Sequence, residues 1–154
     1  MSLKDLSELK FKADRVKYPS LPVHAVPRKV FTDKTANGLT SAILAYCELS
    51  GAFAQRSGSE GRYRQGATVV DAVGRTRVMK GSYLPGLNVG QGDLQIVLAG
   101  RIYSVEIKIG KDRQSEKQKD FESRLTSSGG IYAIVHSWEE FYNYWKTWTS
   151  KTQF

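Results

Sequence analysis

The chain has 154 residues, 40% of them apolar, which is enough to bury a core in one domain and too few to make two domains the expectation. With 23 Lys and Arg against 15 Asp and Glu the net charge is +8, which suits a polyanionic partner such as nucleic acid and equally a merely soluble basic surface; composition does not separate the two. Cys47 is the single cysteine, so an intramolecular disulfide and a Cys-based zinc cluster are excluded. No apolar run of about 18 residues occurs and MSLKDLSELKFKADR is too charged for a signal peptide, so the expectation is a cytoplasmic protein with no membrane span.

Residues 1–30 carry seven basic and three acidic residues, with Pro19, Pro22 and Pro27 following a short helical pattern of Leu3, Leu6 and Leu9. This segment reads as a loosely attached basic arm ahead of a single domain over 31–154. From about Thr35 to Ser50, Leu39, Ile43, Tyr46 and Cys47 recur at helical spacing and Gly51 supplies a stop, giving an amphipathic helix. AFAQR (52–56) is a short strand. RSGSEGRYRQG (56–66) reads as a surface loop, ATVVDA and TRVMK as a hairpin about Val73-Gly74-Arg75, and GSYLPGLNVGQG (81–92) as a long Gly-rich connection. Strands follow at 94–98 and 101–108, then a helix over about 116–127 closed by Gly129-Gly130, a buried strand IYAIVH (131–136), and a last helix opened by Ser137 with Glu140 three residues on. This order of elements describes an α/β protein, a mixed sheet flanked by helices.

The chemistry concentrates in GDLQIVLAGRIYSVEIK (92–108). A two-residue turn at Ala99-Gly100 pairs Leu98 with Arg101 and Val97 with Ile102, so that opposed residue numbers sum to 199 and Asp93 comes to face Glu106. Like charges directly opposed in a ladder repel, and magnesium, which takes oxygen ligands and binds through one or two carboxylates, is the compensation that fits best. Strand alternation puts Glu106 and Lys108 on one side and Val105 and Ile107 on the other, in the core. The competing structural reading is that Lys108 pairs with Glu106 or Asp93 in a plain salt bridge; burying such charge without a purpose is costly, which favours a functional site.

An Asp at the start of one strand, Glu-x-Lys on the next and a downstream helix with a Gln resemble the PD-(D/E)XK nuclease superfamily. Within it, GDLQIVLAGRIYSVEIKIGKDRQSEKQKDFESRLTSSGGIYAIVHSWEEF is similar to the VRR-NUC group of small phage and bacterial nucleases and structure-selective repair nucleases, over roughly residues 35–141. The resemblance implies a restriction-endonuclease-like fold and an Mg2+-dependent endonuclease, with Mn2+ as a substitute, that hydrolyses DNA phosphodiester bonds, with junctions, flaps or nicks as preferred structures. It implies that Asp93, Glu106 and the carbonyl of Ile107 hold the metal, that Lys108 positions or activates the attacking water, and that Gln118 points to the active site. Two positions depart from the pattern. Gly92 stands where the superfamily has proline, and Asn37 where an early acidic residue of the first helix is common, which bears on whether a second metal binds.

Gln118 has another reading, since Ser115 and Gln118 also form a capping box; both stay open, and one amide can serve both. Arg56, Arg62 and Arg64 in the Gly-rich loop and Lys111 and Arg113 after the Glu-x-Lys strand are singly ordinary surface charges and as a group a DNA-contacting surface. His24 and His136 are too few and too distant for a His-metal site, and no nucleophile-elbow sequence accompanies the serines. Trp138, Phe141, Tyr142, Trp145 and Trp148 recur at three- and four-residue steps as a core-facing helix stripe, and a face so apolar also suits a homodimer contact. Besides the endonuclease, the sequence leaves open a catalytically inactive nucleic-acid-binding module derived from such a nuclease, and a pure interaction subunit, which would leave Asp93, Glu106 and Lys108 unexplained.

Overall fold

Ser2 and Asp5 exchange side-chain to backbone hydrogen bonds at the start of the first helix, α1 (Leu3–Lys17), a capping box that satisfies two of its otherwise orphan N–H groups. The computed structural model describes residues 1–58, 62–70, 72–84 and 90–150. In it α1 is not a loose arm: Leu6 is fully buried in the core, Phe11 is buried under the Arg28 guanidinium, and Lys10 bridges Asp14 and Glu48 of the next helix. Pro22 leads into a single 3-10 turn (Val23–Ala25), after which Val26 and Phe31 are also buried. Residues 1–31 thus form one wall of the core.

The second helix, α2 (Ala36–Leu49), starts at Thr35, whose hydroxyl accepts from the Gly38 N–H, and buries Leu39, Ala42, Ile43, Ala45 and Cys47. A four-stranded sheet follows in the order β1 (Phe53–Arg56), β6 (Leu94–Leu98), β7 (Arg101–Ile107), β8 (Ile131–Val135). The first three strands are antiparallel, and β7 and β8 are parallel because α3 (Glu116–Ser127) carries the chain back across the sheet. Ala99 and Gly100 both have positive φ, 48° and 74°, as a two-residue hairpin turn of matching twist requires. The β6–β7 register runs from Leu98↔Arg101 to Leu94↔Val105, the sum of 199 expected from that turn.

One face of the sheet is core: Leu94, Ile96, Tyr103, Val105, Ile107, Ala133 and Val135 pack with Leu6, Leu39, Ile43 and the stripe Trp138, Phe141, Trp145 and Trp148 of α4 (Trp138–Ser150). Tyr46 of α2 meets Trp138, Phe141, Tyr142 and Trp145 edge-on at 5.2 to 6.3 Å between centroids, so the aromatic stripe is internal packing. The opposite face carries Ser104, Glu106 and Lys108 and is covered by α3, whose Phe121 packs on Tyr132 of β8.

Between β1 and β6 the chain makes two further two-stranded ladders, β2 (Arg62–Arg64) with β5 (Ser82–Leu84) and β3 (Ala67–Val70) with β4 (Thr76–Met79). β3 and β4 form the hairpin that the sequence predicts; β2 and β5 lie in segments that sequence reads as loops. They form because an Arg-Tyr-Arg and a Ser-Tyr-Leu stretch stand opposite each other in register, a pairing that composition does not reveal. The molecule is therefore an α/β protein with four helices and a mixed four-stranded sheet among its described residues, and no helix among them is long and apolar enough to cross a membrane.

Candidate active site

Strand alternation on β7 sends Val105 and Ile107 into the core and Glu106 and Lys108 to the α3 face, where both are buried, at 3% and 6% exposure. The Lys108 Nζ lies 2.9 Å from Glu106 Oε1 and 3.3 Å from Asp112 Oδ2 in the loop beyond the strand. Burial pushes the Glu106 carboxyl pKa up, the Lys108 ammonium pulls it back, and the charge of Asp93 raises it again. For Lys108, burial alone would favour the neutral amine, but the carboxylates of Glu106 and Asp112 outweigh it and raise its pKa, so it stands as an ammonium at neutral pH.

Gln118 does the two things its sequence context left open. Its Oε1 accepts from the Ser115 N–H at 2.8 Å, completing a capping box with the Ser115 hydroxyl, while its Nε2 donates to Glu106 Oε1 at 2.5 Å. The cap thereby orients an amide that fixes one Glu106 oxygen. The Tyr132 hydroxyl approaches the other, Oε2, at 3.5 Å, and burial followed by the nearby Glu106 charge raises the pKa of the phenol.

Asp93 follows the last turn of backbone before β6, exposed at the open end of the sheet. Its Oδ2 accepts from the Ile107 N–H at 2.9 Å, and one further step of the register sets it opposite Glu106. A strand residue's N–H and C=O project to the same side, so the Ile107 carbonyl faces the same edge. Asp93, Glu106 and the Ile107 carbonyl are a hard oxygen donor set suited to magnesium, with Glu106 Oε2 held only loosely. Among the described residues no group of three or more His, Cys, Asp or Glu side chains is placed to hold a metal, so a cation here would complete its shell with backbone oxygen, water or substrate.

Gly92 has a physical reason of its own. Its N–H donates to the buried Ser104 Oγ at 3.2 Å, and a Cβ at this position would stand 2.7 Å from that oxygen and 2.9 Å from the Val105 carbonyl. Gly92→Pro, which would restore the superfamily residue, should therefore remove a hydrogen bond and force a clash, costing about 1–3 kcal/mol for the orphaned hydroxyl alone. Urea unfolding reads this directly; unchanged stability would show that the strap before Asp93 shifts freely.

Asn37, in the first turn of α2, accepts from Arg56 Nη1 at 3.2 Å. Arg56 stands opposite Leu94 in the β1–β6 ladder, so the Asn37 amide is engaged by a strand arginine. Lys111 and Arg113 are exposed in the loop after β7. Arg62 and Arg64 lie on β2 and not in a loop, and their side chains are outside the described residues. Sequence reasoning passed over Asp112 and Tyr132. Asp112 is four residues after Lys108, a spacing that signals a partner on a helix but not after a strand; Tyr132 becomes a neighbour of Glu106 only through the parallel β7–β8 register.

Compared with known proteins, the chain matches no family model and no curated sequence. The plain salt bridge is thus present, but it leaves unexplained why a second carboxylate is held by backbone opposite the first and why an amide is aimed at Glu106. A buried ion pair gains little over apolar packing, so stability alone does not call for these groups.

Proposed function

We propose that this protein is a divalent-metal-dependent endonuclease of the PD-(D/E)XK type, with a restriction-endonuclease-like core, resembling the VRR-NUC group. The observation that carries the reading is the buried Glu106–Lys108 pair on β7, with the Gln118 amide on one Glu106 oxygen and Asp93 pinned to the Ile107 N–H at the open end. A cation held by Asp93, Glu106 and the Ile107 carbonyl would acidify water and draw charge from a phosphodiester oxygen. The chain's own groups do the rest. The Ile107 N–H and Gln118 amide hold the two carboxylates in place, and the Lys108 ammonium stabilises negative charge developing on the phosphate and orients the incoming water. Lys111 and Arg113, exposed in the loop that follows β7, and the exposed Arg56 add positive charge for phosphate contact.

A panel of labelled linear, nicked, flap and four-way DNA with magnesium or manganese tests the assignment and ranks the substrates. Cleavage of none of them would sink it. The noncatalytic binding module is the second reading, favoured by the ion pair itself, since Lys108 and Gln118 already satisfy Glu106 without a cation.

A thermal shift separates the two. A cation that binds only the folded state at 100 times its Kd adds about 2.7 kcal/mol, which is roughly 5–10 °C in Tm for a domain of this size. The shift is expected with manganese for the wild type and absent in Glu106→Gln. Equal shifts in both would place the cation elsewhere.

A further inference from the structure

β1 and β6 are neighbours in the sheet, yet the chain between them runs through residues 57–93. The two ladders formed there are in line with one another: opposed residue numbers sum to 146 in β2–β5 and again in β3–β4, so they share one register across the unpaired Gln65-Gly66 and Lys80-Gly81 steps. At about 3.3 Å per residue, the nine residues from the start of β2 to the end of β3 reach up to roughly 30 Å when extended. Its root is tied to the candidate active site. The Ser57 N–H donates to the Asp93 carbonyl at 2.9 Å, and the five residues from Ser57 to Arg62 span at most about 18 Å. On the return, Gly92 is fixed to Ser104 one residue before Asp93.

Among its described side chains the ribbon shows no core. Every described side chain from Tyr63 to Lys80 is exposed, Val69, Val70 and Val78 among them. A lone two-stranded hairpin is marginal in water, and exposed apolar residues on such an element mark a surface that meets a partner. Charge chooses the partner. Residues 57–92 carry Arg62, Arg64, Arg75, Arg77 and Lys80 against Glu60 and Asp71, on a chain of net charge +8. A second copy would bring like charge to this element, and a polyanion brings opposite charge.

We propose that the two ladders, β2 with β5 and β3 with β4, form a ribbon arm that lies in a groove of duplex DNA for about one helical turn and holds the duplex against Asp93, Glu106 and Lys108; duplex as the polyanion rests on the nuclease reading. The major groove admits a two-stranded ribbon, and roughly 30 Å is close to the 34 Å of one turn. Arg and Lys reach phosphates, and the valines supply apolar contact to thymine methyls.

Two variants test the arm: one with residues 65–81 replaced by Gly-Gly, and full-length Arg77→Glu/Lys80→Glu, which keeps the ribbon intact. Binding to fluorescent random-sequence duplexes of increasing length is measured in EDTA. Wild-type affinity should rise with length until site and arm are both covered, and the shortened variant should reach its plateau about 10 base pairs earlier. On long duplex both variants should bind at least about 10-fold more weakly, with a salt slope smaller by roughly 0.9 per lost phosphate contact. Unchanged plateau length and salt slope in both would overturn the arm. A wild-type dimer that the shortening makes monomeric, with DNA affinity unchanged, would also overturn it and assign the ribbon to a second copy. Cleavage by the wild type with ribbon-independent binding defeats the arm and leaves the nuclease standing; ribbon-dependent binding by a wild type that cuts nothing with magnesium or manganese does the reverse.

Discussion

Lys108→Ala is expected to lower DNA cleavage on the order of 100-fold or more, the scale set by loss of one preorganised stabilising group, while leaving divalent-cation binding intact. The Lys108 ammonium sits 2.9 Å from Glu106 Oε1, so removing it takes away a competitor for that oxygen and no ligand. Asp93→Asn should fail in the opposite order. The Asn carbonyl can still accept the Ile107 N–H, which Asp93 now accepts at 2.9 Å, so the backbone before β6 keeps its place while the charge of the proposed ligand is lost. Calorimetric manganese binding should then weaken together with cleavage. DNA binding without metal should persist in both, and Asp93→Asn should bind somewhat tighter, because a carboxylate that repels phosphate is gone. Removing one member of a buried pair strands the other, so urea unfolding accompanies each measurement. Wild-type cleavage by both variants would remove the site from the chemistry. Equal loss of cation binding in both would end the division of roles between Asp93 and Lys108.

The parts of this site that sequence makes legible are those fixed by short-range rules. The Ala99-Gly100 turn sets the β6–β7 register, the register sets Asp93 toward Glu106, and alternation sets Glu106 and Lys108 together on the face away from the core. Gln118 reads in sequence as a cap or as a residue turned toward Glu106, and its amide caps α3 with one end and bonds Glu106 with the other. What escapes depends on contacts far apart in the chain. Tyr132 reaches Glu106 across a parallel pairing that α3 creates, and β2 meets β5 over a span that includes an entire hairpin. Neither leaves a periodic mark in its own segment. The first 30 residues mislead for a different reason: most of their lysines and arginines are exposed on α1 and the following coil, and the charge they add to the segment hides Leu6, Phe11 and Val26.

That misreading has a measurable consequence, the second large effect expected here. If residues 1–30 were an arm, trimming any of their leucines would matter little. Leu6 is 0% exposed and belongs to the same cluster as Leu39, Ile43 and Phe141, whereas Leu9, one turn on, is 45% exposed. Leu6→Ala deletes buried methyl groups and leaves a cavity between α1 and the body, at a cost of about 2–5 kcal/mol, or a drop in Tm of roughly 5–15 °C for a domain of this size. Leu9→Ala should stay within about 0.5 kcal/mol of wild type, as exposed substitutions do. The cost at Leu6 falls on the whole fold and not on α1 alone, because Trp138 at the head of α4 donates its indole N–H to the Met1 carbonyl at 2.9 Å and its backbone N–H to Asp33. The amino terminus therefore helps seat the aromatic helix, and unfolding followed by Trp fluorescence and by far-ultraviolet circular dichroism should give one coincident, shifted transition. Early loss of α1 as a separate step, with the tryptophan transition unmoved, would restore the picture of an arm.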